Sequence, residues 1–296
     1  MTQPVSLEVL ATTAIGTYLS KMTRSQKAVL KDRDPEDLHQ MRVGLRRLRT
    51  AMQVFEPVLI LPKAAQESQV AAVGRKLGRL RDLDVITELL QQYLPDLPPA
   101  EAQALTPGFQ YLQRRRQRAL KQVKAVLKGD RYQRLKTRLK TWTQAPACSA
   151  LAPLSASTVL PDLVGPLLSR LWLHPGWLIA TAIQQGQPQP LFNLDPEAID
   201  GYVAQPTLHS LRKQVKRVRY QLQLVADQYG DRLNAELTQL QALQETLGHL
   251  QDGLVLADFL GAAIPHWQTQ LPTLKAQLAH SRNQSWGNGK RCKAAT

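Results

Sequence analysis

His39, Arg42, Arg46, Arg49 and Gln53 follow one another at steps of three, four, three and four residues, the spacing that stacks side chains on one face of an α-helix. At 100° per residue the five fall within an arc of about 80°. Guanidinium groups keep their charge and present planar forks of donors that match phosphate oxygens. Such a row sets a cation at every turn along about 20 Å, which suits a linear polyanion. A neighbouring imidazole adds a donor that strengthens when a bound anion raises its proton affinity. Met41, Leu45, Leu48, Met52 and Phe55 form a second stripe about 120° round the same helix, the face expected to enter a core.

The pattern occurs twice. Sliding the chain by 170 residues sets His39 on His209, Arg42 on Arg212, Arg46 on Lys216, Arg47 on Arg217, Arg49 on Arg219 and Gln53 on Gln223. The same offset sets L-G-R-L-R-D, ending at Asp82, on L-G-H-L-Q-D, ending at Asp252. Two segments sharing one ungapped offset point to an internal duplication. Asp82 and Asp252 fall near apolar positions, where a carboxylate normally fixes an arginine of a neighbouring helix. Arg47 and Arg217, about 100° off the cationic stripes, are the expected partners. The candidate ligand-facing set adds Arg114, Arg118, Lys121 and Lys128 from a basic segment and Lys213 beside the second stripe. No cofactor and no metal site is expected, because His174, His266 and His280 share no ligand-like spacing.

These residues sit in a chain of 296 amino acids with 43% hydrophobic and only 5% aromatic residues. The net charge of +15 and pI near 10.1 call for a polyanionic partner. Residues 21–140 hold 26 Lys and Arg against 12 Asp and Glu, so the first half carries nearly all of the excess. Cys148 and Cys292 offer no disulfide framework and suit a reducing compartment. The N-terminal residues lack a basic region ahead of an apolar run, and no apolar run approaches 18 residues, so neither a signal peptide nor a membrane span is expected. The expected location is cytoplasmic.

The elements that must position the stripes read as helices throughout. The period predicts one over Ser6–Leu30, and a capped start at Asp34–Pro35 predicts a second that ends before Pro57. A third spans Lys63–Tyr93, and basic helical sequence runs from Phe109 to Trp142 with a break at Gly129–Asp130. Residues 1–145 thus form a first, strongly basic half, and the Ala/Pro/Ser-rich 146–162 a linker. A second half covers 163–284, with two short helices in Leu163–Gln185, a loop over Gly186–Gln205 and a last helix over Pro265–Gln284. Residues 285–296 read as a polar tail. Trp172, Trp177 and Trp267 are expected in the core.

At the doubled H-x-x-R-x-x-x-[RK]-R-x-R core, the L-G-x-L-x-D element and the basic helix after the first copy, the chain resembles the CHAD domain family, the conserved-histidine α-helical domains. The resemblance extends from about residue 5 to 284. It implies an all-α fold of two helical bundles related by a pseudo-twofold axis, with a central basic channel that binds inorganic polyphosphate, and association with polyphosphate granules. The second half lacks a counterpart of the basic Phe109–Trp142 segment, and Lys216 replaces an arginine, so an asymmetric channel is expected. Some family members carry a triphosphatase domain, of which no strand pattern is visible here.

Three classes of function compete. Non-catalytic polyphosphate binding is favoured. Nucleic-acid binding is permitted by charge, but single-strand binders stack bases on aromatics, and the two stripes offer only Tyr220. An enzyme transferring phosphate through a histidine would want a Gly-rich phosphate loop or clustered acids for Mg²⁺, and the sequence shows neither.

Overall fold

The structure is a computed structural model that describes residues 5–191 and 194–294, with side chains described except at 196 and 288–294. It is about 81% helical, and the one sheet among the described residues is a two-stranded hairpin, so the all-α expectation holds. The helices are α1 (Leu7–Arg24), α2 (Gln26–Lys31), α3 (Pro35–Val54), α4 (Glu67–Tyr93), α5 (Pro99–Ala104), α6 (Thr106–Lys128), α7 (Asp130–Gln144), α8 (Ala156–Trp172), α9 (Pro196–Val203), α10 (Pro206–Val225), α11 (Asn234–Ala263), α12 (Trp267–Gln270) and α13 (Pro272–Ala294). The chain forms two compact units. One comprises residues up to Val85, Gln113–Pro166 and Tyr220–Gly230; the other comprises Ile86–Leu112, Leu167–Arg219 and Asp231 onward.

Local sequence explains the elements that carry the stripes. Asp34 caps α3 by accepting a 2.8 Å bond from the Glu36 amide, Pro35 takes the first helical position, and Glu36 and Asp37 lie in the first turn where they favour the helix dipole. The apolar face of α3 is buried as its period demands: Met41, Leu48 and Ala51 lose all their exposure. Gly44 faces α1, where an added Cβ would come within 2.8 Å of the Met22 backbone nitrogen. Only glycine permits that approach. Gly129 separates α6 from α7, at the expected break.

Other elements differ from expectation for identifiable reasons. The segment around Pro161 and Pro166 is helical, because both prolines are exposed while Ala156, Leu160 and Val164 turn inward, so the carbonyls freed by proline can be hydrated. The stretch after Trp172 forms a 3₁₀ turn at Pro175–Leu178, then β1 (Thr181–Gln184) and β2 (Gln187–Pro190), paired antiparallel. Gln185 and Gly186 make its two-residue turn with φ of 50° and 77°, the geometry that matches strand twist. Helix α9 occupies part of the expected loop, and α13 continues through the expected tail to Ala294. Of the three tryptophans expected inside, Trp267 is buried, Trp177 half-buried, and Trp172 is 61% exposed. Cys148 is a free, half-buried thiol, whose pKa is raised by burial and by Glu8; the Cys292 side chain lies outside the described residues. No helix is long and apolar enough to cross a membrane among the described residues.

Candidate functional site

The first stripe occupies α3 as the spacing predicts, and α4 packs against it through specific polar contacts. Arg42 is half-buried, with its guanidinium laid on Gly78 of α4: a Cβ there would stand 2.8 Å from Arg42 Nη1. Burial lowers the Arg42 pKa, Asp82 opposes that shift, and Arg46 and Arg81 add to it. Arg46 lies over the Tyr220 ring, 4.1 Å from its centroid, a cation–π contact. Arg49 donates to Glu67 at the start of α4, and Gln53 donates to the same Glu67 oxygen at 2.9 Å. These two are already aligned by a carboxylate, and Arg49 keeps 47% of its side chain exposed to a competing anion. His39 is half-buried beside this row. Burial lowers its pKa, Glu36 raises it, and Arg81, Arg46 and Arg42 lower it further, so the imidazole sits below its usual 6.5.

The second stripe, on α10, is held by α11. The Nδ1 of His209 lies 2.7 Å from Gln251 Oε1, an amide carbonyl that can only accept, so Nδ1 carries the proton. In the neutral ring Nε2 is then the acceptor, and protonation turns it into a second donor. Arg212 Nη2 is 3.9 Å from Asp252 Oδ1, while its buried Nε has no hydrogen-bond partner among the described residues. Arg219 donates from Nε to Gln244 at 3.0 Å and from Nη1 to Gln241 at 3.2 Å. The side-chain amides of Gln244 and Gln241 thus help to align this arginine, as Glu67 helps to align Arg49. Lys216 is half-buried, and Lys213 and Gln223 are exposed.

The aspartates behave differently from expectation. Their cationic neighbours are the stripe arginines Arg42 and Arg212, not Arg47 and Arg217. Arg217 is exposed, and Arg47 reaches back to Tyr18 of α1, 5.9 Å from the ring centroid. Asp252 is half-buried, and burial raises its pKa against the pull of Arg212, His249 and Lys216. Asp82 is exposed, and the buried carboxylate of α4 is Asp84, 3% exposed. Asp84 stands eleven residues after Val73, three turns along the Val73–Leu77–Leu80 arc, which explains its burial.

Asp84 belongs to a cluster that sequence reasoning missed. Arg116 of α6 donates from Nε to Asp84 at 2.8 Å and bidentately to Asp32 at 2.8 and 2.9 Å. Asp32 caps the C-terminus of α2 in the left-handed region at φ 52°. The bridge leaves Arg114, Arg118, Lys121 and Lys128 on the exposed side of α6, at steps of four, three and seven that keep them within an arc of about 80°. None of these four forms an ion pair among the described residues. No group of three His, Cys, Asp or Glu suited to a metal is present among the described residues.

A CHAD domain match covers residues 13–261. The chain belongs to the CHAD domain family. A crystal structure of the CHAD domain from the plant Ricinus communis is 26% identical to it, with a TM-score of 0.64 over 98% of this chain and 89% of that one. PptA from Streptomyces chartreusis is 15% identical, with a TM-score of 0.69 over 97% of this chain and 99% of that one; at that identity the likeness speaks for the CHAD fold alone. No curated protein matches the chain.

Proposed function

We propose that this CHAD protein binds inorganic polyphosphate through the cationic stripes of α3 and α10 and through the exposed cations of α6, without chemically altering it. The observation that carries the reading is the same arrangement on both stripes: the first arginine after the histidine, Arg42 or Arg212, lies beside a glycine, Gly78 or Gly248, and an aspartate, Asp82 or Asp252. Each half-buried guanidinium is pre-aligned and retains donors for a phosphate chain, so little ordering cost remains at binding. Tyr220 supports polyphosphate over single-stranded nucleic acid, because its ring already carries Arg46 and does not serve as a bare stacking platform. On this reading the protein associates with polyphosphate bodies in the cytoplasm.

Titration of labelled long-chain polyphosphate, with single- and double-stranded nucleic acid as competitors over a range of salt, tests the proposal. A steep fall of affinity with salt and poor competition by nucleic acid of equal charge are expected. Equal affinities would overturn the specific reading in favour of general polyanion binding. Replacing Arg42, Arg46 and Arg49 together by Ala should weaken binding far more than replacing exposed Lys275. Incubation with polyphosphate and Mg²⁺ should release no phosphate; sustained turnover by pure protein would reassign it as an enzyme.

A further inference from the structure

The hairpin that follows α8 has two outer edges, and they differ. Ala182 pairs with Gln189 and Ile183 with Pro188, and the Leu191 amide bonds the Ala180 carbonyl at 2.9 Å. Alternation along an antiparallel ladder then turns the backbone groups of Ala180, Ala182 and Gln184 towards β2 and those of Thr181 and Ile183 outward. On β2 the outward positions are Pro188 and Pro190, opposite Ile183 and Thr181, and proline has no N–H to offer a further strand. The β1 edge has no such block. No third strand pairs with it among the described residues, and its Ile183 is 61% exposed. The same segment exposes Trp172, Leu173 and Leu178, Leu173 to 84%. Exposed apolar residues on a segment with an open strand edge mark a contact surface.

Charge and sequence say which partner fits. From Leu171 to Leu194 the chain has no Asp, Glu, Lys or Arg, although its net charge is +15. Two copies of so basic a chain repel one another elsewhere and can meet at this uncharged face. The β1 strand is also complementary to itself. Set antiparallel to a second β1 about a twofold axis at Ala182, Thr181 of each copy faces Ile183 of the other. That register pairs all the outward N–H and C=O groups of both strands and sets two pairs of β-branched side chains together. We infer that the protein forms a twofold dimer in which the β1 strands of two copies join the hairpins into one four-stranded sheet. The contact uses no residue of the stripes or of α6, so the inference goes beyond polyphosphate binding.

Sedimentation velocity of the full chain at about 0.5 M salt, where charge repulsion is screened, tests it. The mass should rise with protein concentration from 33.1 kDa towards twice that value. Ile183→Lys should abolish the rise by setting two like charges close to the axis. Thr181→Pro, which removes an N–H that β2 does not use, should abolish it too. Ala182→Cys, with Cys148 and Cys292 replaced by Ser, should form a disulfide-linked dimer under mild oxidation, because residues directly opposed across the axis lie within disulfide reach. Gln189→Cys in the same background, on the far strand, should not. A single species of 33.1 kDa at every concentration overturns the inference, as does a dimer that survives both substitutions and leaves Ala182→Cys without a cross-link. The cross-link, made on a nearly unaltered hairpin, decides the matter even where Thr181→Pro impairs folding.

Discussion

His39 has a proton affinity set by its neighbours, and that gives polyphosphate binding a pH dependence with a definite sign. Its folded pKa lies below 6.5 through burial and the cations Arg81, Arg46 and Arg42, so the folded state holds fewer protons than the unfolded one and His39 costs stability as pH falls below 6.5. A bound polyanion reverses the repulsion and raises the pKa. Binding should therefore take up a proton and tighten as pH falls from 7.5 to 5.5, and His39→Gln should flatten that trend. At the position corresponding to Arg81, α11 has Gln251, which faces His209 of the second stripe. Arg81→Gln should accordingly raise the His39 pKa toward 6.5 in an NMR titration; a further fall would disprove the electrostatic account. The two glycines make a paired prediction. Gly78→Ala should push Arg42 off α4 and weaken binding, whereas Gly248→Ala, where Arg212 Nη2 lies 3.9 Å from the added Cβ, should leave affinity unchanged and stabilise α11 by about 0.5–1 kcal/mol. The stripe itself was legible because helical period alone decides which residues share a face. The partners were not: nothing local distinguishes Arg116 from Arg114 or Arg118, since its carboxylates lie 32 and 84 residues away.

Helix α6 is held in place by Arg116, and this fixes what its exposed cations can do. Arg116→Met leaves Asp84 buried without its cation, and the loss should be about 3 kcal/mol at neutral pH, read from urea unfolding. Burial already raises the Asp84 pKa against Arg116. Without the cation the pKa rises further, so the variant should recover stability as pH falls from 8 to 5 and the carboxyl protonates. Equal losses at both pH values would mean that packing, not charge, is what Arg116 contributes. Helix α13 depends on a remote cap: Glu101 of α5 accepts from the Thr273 amide at 3.1 Å and from the Leu274 amide at 3.3 Å. Burial raises the Glu101 pKa, but these bonds outweigh it and leave the value lowered. Its contribution is therefore present above the usual glutamate range and disappears as pH falls through the lowered folded value. Elements whose signal is local, such as capped α3 and the Gly129 break, could be read from sequence. The α8 helix and the hairpin could not, because proline's effect depends on which face it occupies, and Gln185–Gly186 is an uncommon pair for that turn.

Across the whole chain the net charge of +15 acts in two ways that kinetics can separate. Exposed cations act mainly during approach, by steering a polyanion over a Debye length of about 10 Å at 0.1 M salt. Half-buried, pre-aligned cations act mainly after docking, by holding the phosphates in place. Arg114, Arg118, Lys121 and Lys128 belong to the first class, since all four are exposed. Arg42 and Arg212 belong to the second, being half-buried against Gly78 and beside Asp252. Replacing the four α6 cations by Gln should slow association with long-chain polyphosphate and flatten its salt dependence, with dissociation changed little. Replacing Arg42 and Arg212 by Gln should speed dissociation and leave association within about threefold. Stopped-flow measurements at 0.05 and 0.3 M salt distinguish the two. If the α6 substitutions alter dissociation as much as the stripe substitutions do, the α6 cations grip the bound chain, and the division between steering and holding fails.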